Sequence, residues 1–164
     1  MITIDIAKKE DAREIRVVLE ASFPTHTEAD LVDAIIASEY YVSELALVAR
    51  DNDEIVGYSL LSECFLEDER ILVLAPVAVK PAWQNRGVGS QLIEAGISKA
   101  KRTEYRCISV LGHAEYYPRF GFEKASQYGI KAPFDVPDEN FLVYRIADRL
   151  SEGTVRYPAS FDGV

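Results

Sequence analysis

The stretch that most constrains the fold is "ILVLAPVAVKPAWQNRGVGSQLIEAGISKA", residues 71–100. An apolar run of strand character (71–79) leads into a polar turn with glycines at 87 and 89. Val88, Leu92, Ile93, Ala95, Gly96 and Ile97 then fall on one broad helical arc. A second buried-type run, "CISVLG" (107–112), follows, so strand, glycine turn, helix and strand have the form of a βαβ unit. Pro76 interrupts the first run. Proline has no N–H for the ladder, which predicts a bulge or break in the pairing there.

Other segments supply elements around this unit. "ITIDI" (2–6) alternates as a half-buried strand does, and Ala12, Ile15, Leu19 and Phe23 recur at helical spacing. Thr27 and Asp30 resemble a capping box ahead of Leu31, Ala34 and Ile35, which predicts a second helix before residue 40. "LALVAR" (45–50) and "IVGYSLLSECF" (55–65) flank "DNDE" as a hairpin. A short helix near 113–119 and a last long strand at 140–146 complete the order β-α-α-β-β-β-α-β-α-β-β. We expect one α/β (α+β) domain over 1–150: a mixed central sheet, bulged or broken near Pro76, with helices on both faces. The irregular tail, 151–164, packs on the same domain.

Charge and composition exclude several classes. A net charge of −9 argues against general nucleic-acid binding, which needs a cationic footprint. No long apolar segment marks a signal peptide or a membrane span, and the expectation is a cytoplasmic protein. Cys64 and Cys107 lie in strand-like runs without neighbouring ligands, so they read as reduced core thiols and no metal is expected. The oligomeric state, a homodimer included, stays open. One local exception stands out: Lys80, Arg86, Lys99, Lys101, Arg102 and Arg106 face only Glu94 and Glu104 over 80–106. That island suits a local anionic ligand, or a solvated helix face.

A helix starting near Gly87 would point its first amides outward and carry partial positive charge there. A phosphate fits such a terminus, with Arg86 able to add a charge-assisted bond. Of three phosphate patterns, the P-loop fails because no Lys-Ser/Thr follows the glycines. The dinucleotide fingerprint fails because Leu92 stands where a third glycine belongs. The third, Q-x-x-G-x-G, is met by Gln84-Asn85-Arg86-Gly87-Val88-Gly89.

"VAVKPAWQNRGVGSQLI" resembles the acyl-CoA motif of the GNAT acetyltransferase superfamily, and "HAEYYPRFGF" (113–122) is similar to its Y-x-x-x-G-F element. The second segment and "GTVRYPASF" (153–161) particularly resemble a bacterial subgroup of N-acetyltransferases. The resemblance covers about 71–125 and the tail; the first 70 residues match it only in element order. It implies acetyl-CoA as co-substrate, its pyrophosphate held by amides from Arg86 to Ser90 with Gln84 and Asn85 in the same turn. Val77, Ala78 and Val79 would offer backbone to the pantetheine arm.

Acetyl transfer to an amine needs a neutral amine, a donor for the thioester oxygen and a proton for the leaving thiolate. A phenol, with an ordinary pKa near ~10, suits the last task, and Tyr117 is the candidate general acid, with Tyr116 read as a core neighbour. Backbone near Val77 is the family-implied donor. Glu63 is the candidate base, with Ser62 a weaker positional choice; His26 and His113 read as surface or packing residues. Acidic residues in "CFLEDER" (64–70) and "DVPDEN" (135–140) would attract a cationic amine if they lined its cleft, and are otherwise solvated loops. The expected function is acetylation of a primary amine by direct attack in a ternary complex. Its rivals are an acyl-CoA-sensing domain without catalysis and a nucleotide-binding protein.

Overall fold

The computed structural model describes residues 1–162. Its elements are β1 (Ile2–Ile6), α1 (Ala12–Ser22), α2 (Thr27–Ile36), β2 (Tyr41–Asp51), β3 (Glu54–Leu66), β4 (Glu69–Val79), α3 (Val88–Ala100), β5 (Cys107–Leu111), β6 (Glu123–Lys124), β7 (Ile130–Lys131), β8 (Phe141–Arg145) and β9 (Gly153–Arg156). The sheet runs β1-β2-β3-β4-β5-β8-β6, and β9 pairs with both β3 and β7. Along the main path only β4 and β5 are parallel, joined by α3 as the βαβ reading expects.

Alternation in β2 explains why helices cover both faces. Ala46 and Val48 pack with Ile15, Val18, Leu19 and Ile35 of α1 and α2. Leu45, Leu47 and Ala49 point the other way, toward Val88, Leu92 and Ile93 of α3. Residues 55–62 of β3 are buried throughout, because this strand lies between the two helical layers. Each large apolar side chain buried in this way contributes about 1.5–3 kcal/mol of transfer free energy. α1 stops where Phe23 turns extended (φ −125°, ψ 148°), the conformation that a following proline, Pro24, enforces.

The expected break in β4 is present. Ser59 faces Val77 while Leu61 faces Leu74, so the register shifts by one residue across Ala75-Pro76. On the other edge, β4 pairs with β5 only at Leu72–Ile108 and Val73–Ser109. Beyond Val73 the two strands part.

Three local expectations need correction. The tail is not wholly irregular: Gly153–Arg156 extends β3 through Phe65 and Leu66, its buried Val155 filling a core that the isolated tetrapeptide does not advertise. The helix expected at 113–119 is a short 3-10 turn, Tyr117–Phe120, confined between Pro118 near its start and a left-handed Gly121 (φ +101°). The capping box at Thr27 does not form. His26 is the N-cap residue and makes no side-chain capping bond to α2, while Thr25 Oγ1 accepts the Thr27 N–H at 3.4 Å.

Candidate active site

The parting of β4 from β5 leaves two concavities along β4, one on each side of Pro76. The larger follows Val77 and Val79 to the N-terminus of α3 and has a volume of about 660 Å³. Gln84, Asn85, Gly87, Gly89 and Ser90 form its head, and Tyr116 and Arg119 close its side. The turn is built by backbone conformation. Asn85 (φ +63°) and Gly87 (φ +80°) are both left-handed, and Gly87 is the N-cap of α3. A Cβ at Gly87 would meet nothing within 4 Å, so glycine is required by the torsion angle and not by crowding.

The first amide of α3 to find an intrahelical acceptor is that of Gln91, bonded to Gly87 O at 3.0 Å. The N–H groups of Val88, Gly89 and Ser90 therefore have no partner within the helix and lie at its positive end. Alternating torsions plus free amides form an anion-binding concavity. Arg86 lies in the same turn. Gln84 acts differently: its Nε2 donates to Val79 O at 2.9 Å and fastens the turn to the end of β4. Ser22 Oγ lies 2.9 Å from the same carbonyl and shares its one proton between it and Val18 O at 2.6 Å, so the Val79 oxygen is engaged within the protein, chiefly by Gln84. Of the two valines, Val77 is the one whose backbone oxygen has no such side-chain donors among the described bonds.

Tyr116 and Tyr117 occupy different places. The Tyr116 hydroxyl lies 3.1 Å from Ser90 Oγ, at the head of the groove, with the Arg119 guanidinium 4.9 Å from its ring centre. The core position expected for Tyr116 is thus only partly right, and Arg119 was not anticipated. The cue was the arginine inside "YYPRFGF", next to an anion-binding turn. The Tyr117 ring lies over Gly112, where a Cβ would collide with it, and packs edge-on to Tyr116 and Phe122. Gly112 follows the last residue of β5, so Tyr117 stands where β4 and β5 diverge. Burial, reinforced by Tyr116, pushes its phenol up to about 12; it is protonated at neutral pH, as an ordinary phenol is, and is a weaker acid than one.

The second concavity, about 250 Å³, lies before Pro76. Val73–Ala75 of β4, Leu31 of α2 and Leu111 of β5 line it, together with Phe134, Tyr157 and Phe161. Its walls are apolar side chains drawn from remote parts of the chain.

Glu63 lies in neither concavity. Its carboxylate accepts from Tyr105 Oη at 2.5 Å and from Arg70 at 2.7 Å, at the closed end of the β4–β5 pair. Glu69, in the same acidic stretch, pairs with Arg106 at 3.8 Å and accepts from Ser151. Ser62 is fully buried beside Val73, and its hydroxyl has no partner among the described residues. His26 is exposed and bonded to Glu20 at 2.8 Å, and His113 is exposed. Cys64 and Cys107 are buried free thiols, each pushed up to about 12 chiefly by burial. They are poor nucleophiles.

Among the described residues, no helix is long and apolar enough to cross a membrane, and no group of three or more His, Cys, Asp or Glu is placed to hold a metal ion.

Comparison with known proteins agrees with this geometry. A family model described as "Acetyltransferase (GNAT) domain" matches residues 42–124. YjhQ of Escherichia coli K12, an uncharacterized N-acetyltransferase, is 38% identical over 143 residues, covering 84% of this chain and 79% of YjhQ. YhbS of the same strain, also an uncharacterized N-acetyltransferase, is 30% identical over 146 residues, covering 87% and 86%. The crystal structure of E. coli YhbS in complex with CoA superposes with a TM-score of 0.90 at 28% identity, covering 98% of this chain and 92% of that one. A GNAT family acetyltransferase from Brucella melitensis in complex with acetyl-CoA gives 0.84 at 28% identity, over 99% of both chains. With the βαβ cradle, the divergent strands and these relatives agreeing, the chain belongs to the GNAT family of N-acetyltransferases.

Proposed function

We propose that this enzyme binds acetyl-CoA along the larger groove and passes the acetyl group directly to a primary amine in a ternary complex. The observation that carries the reading is one groove that joins the free amides at the start of α3 to the β4 edge left open by β5; the protonated phenol of Tyr117 lies behind its lining residue Tyr116, over Gly112. The cradle amides of Val88 to Ser90, with Arg86 and Arg119 nearby, hold the pyrophosphate. Backbone of β4 at Val77 and Ala78 aligns the pantetheine arm and presents a donor to the thioester oxygen.

The amine nitrogen bonds to the thioester carbon, and the oxygen of the tetrahedral intermediate takes the negative charge. Its collapse breaks the C–S bond, and Tyr117 gives its proton to the departing thiolate. The proton lost by the amine passes to solvent, and the phenol is then reprotonated. Glu63, committed to Arg70 and Tyr105, is not needed for this step. No acyl-enzyme forms, since both thiols are buried and protonated.

Tyr117→Phe is the test. It should lower kcat about a hundredfold, the usual scale of a general acid, while the Kd for acetyl-CoA stays unchanged. Undiminished turnover would remove Tyr117 from the chemistry. Loss of acetyl-CoA binding in the same variant would make its role structural. A wild-type protein that binds acetyl-CoA but acetylates no member of an amine panel would favour a sensing domain.

A further inference from the structure

We infer that the 250 Å³ concavity before Pro76 seats the body of the acceptor, and that the acceptor is a small primary amine carrying an aromatic group. The inference rests on the acetyl-transfer reading above and names its substrate class.

The pocket has the character such a ligand requires. Phe134, Tyr157 and Phe161 form a slab of nearly parallel rings: Phe134 and Tyr157 are 6.2 Å apart at 24°, Tyr157 and Phe161 5.0 Å apart at 23°. A further flat ring adds to such a slab by offset stacking. Two of the lining side chains are exposed despite their size, Leu111 at 51% and Phe134 at 46%. Large apolar groups left in water around a concavity mark a ligand site. The volume fits as well, since an apolar cavity of about 150 Å³ already accepts benzene.

Charge is arranged around the pocket and not in it. Phe134 also borders a concavity that carries Asp135 and Asp138 with Lys131, and Leu31 borders another that carries Asp162 and Asp30, the latter paired with Arg16 at 3.1 Å, so carboxylates exceed cations around the pocket. An apolar seat with an anionic rim matches a cationic amine with an apolar body. One turn before Leu31 on α2, Glu28 holds Oε1 buried without a donor among the described residues. Glu28 lines neither concavity; three positions from Leu31 it adds negative charge on the same face of α2 and is not the contact of the reacting nitrogen. The placement also suits the chemistry. The pocket uses β4 up to Ala75, the cofactor groove begins at Val77, and Tyr117 lies over Gly112, the residue after the lining Leu111.

The test compares 2-phenylethylamine, n-butylamine, spermidine and a tripeptide with N-terminal phenylalanine as acceptors. The kcat/KM for 2-phenylethylamine should exceed that for n-butylamine about tenfold or more, the discrimination that apolar pockets reach. Phe134→Ala, an exposed position that leaves the fold intact, should remove most of that preference through KM, and Phe161→Ala should do the same. Both variants should keep the wild-type Kd for acetyl-CoA. Equal use of n-butylamine, or a preference for spermidine, overturns the pocket assignment and leaves acetyl transfer standing. A preference for the tripeptide over the free amine overturns the small-molecule assignment. If no amine is acetylated, calorimetry of 2-phenylethylamine with the CoA-loaded protein separates the two readings. Binding that Phe134→Ala weakens supports the pocket while acetyl transfer fails, and absence of binding overturns both.

Discussion

The two concavities along β4 are built by different means. The groove proposed for acetyl-CoA is made mostly of backbone: two left-handed residues, three helix-terminal amides and an unpaired strand edge, all between Val77 and Ser90. The apolar pocket is made of side chains from α2, β4, β5, the loop holding Phe134 and the tail holding Tyr157 and Phe161. A site made of local backbone must keep its torsion angles, so its residue types are fixed at fixed spacing. A site made of distant side chains fixes only shape and apolarity. The first can serve one ligand across many proteins, whereas the second is free to change acceptor without disturbing the cradle.

The sharpest way to break this comparison is at Gly87. Gly87→Glu places a carboxylate among the free amides and a side chain on a left-handed residue, and should weaken acetyl-CoA at least about a hundredfold by calorimetry. Gly87→Ala separates the two effects. With open space around its Cβ it should cost only about 1 kcal/mol of stability and little affinity. If both variants bind acetyl-CoA as the wild type does, the phosphate is held elsewhere and the backbone account of this side fails. Neither variant should alter the Kd of an arylalkylamine, since the pocket lies on the other side of Pro76.

The same contrast explains what the sequence made legible. Q-x-x-G-x-G after a strand located the left-handed turn and free amides at the start of α3, Pro76 located the break in β4, and Y-x-x-x-G-F located the turn that carries Tyr117, the proposed acid. Each is a local consequence of backbone geometry. Tyr116 and Arg119 were less legible because adjacent tyrosines give no clue to which hydroxyl reaches Ser90; the short 3-10 turn decides that. The apolar pocket could not be read at all. Phe134 and Phe161 look like ordinary loop and tail residues until β9 pairs with β3 and brings the tail against α2 and β4. The bonds of Glu63 were hidden for a similar reason. Alternation along β3 cannot reveal that Tyr105 and Arg70, both distant in sequence, occupy its carboxylate.

Glu63→Gln sharpens that point with a smaller effect. Glutamine can still accept from Tyr105 but loses the ion pair with Arg70, whose guanidinium is nearly half exposed and solvent-screened, so the melting temperature should fall only slightly. Activity per folded molecule and its pH dependence should be unchanged. A hundredfold fall in kcat, or a lost ionisation in the rate profile, would return Glu63 to the reaction and shift the acceptor side toward the closed end of the sheet.

The smallest effect concerns the closed end itself, where Cys64 and Cys107 lie beneath the strands that open above them. Both thiols are raised by burial to about 12 in the fold, against an ordinary value near ~8.5 in the unfolded chain. A raised folded pKa means that the stabilising contribution is complete below the unfolded pKa. It is lost progressively as pH rises from about 8.5 toward 12. Tyrosines begin to ionise in the unfolded chain toward pH ~10. The thiols therefore dominate the lower part of the window from about pH 8.5 to 10, and the tyrosines add to the loss at its top, equally with the thiols present or removed. Each thiol should withdraw about 2 kcal/mol by pH 10. Thermal melts should therefore show a steeper loss over pH 8.5–10 in the native chain than in a Cys64→Ala, Cys107→Ala variant, with acetyl transfer at pH 8 equal in both after correction for the folded fraction. An identical slope would mean that solvent reaches these thiols in the native state. The closed end of the sheet would then be as open as the end where β4 and β5 part.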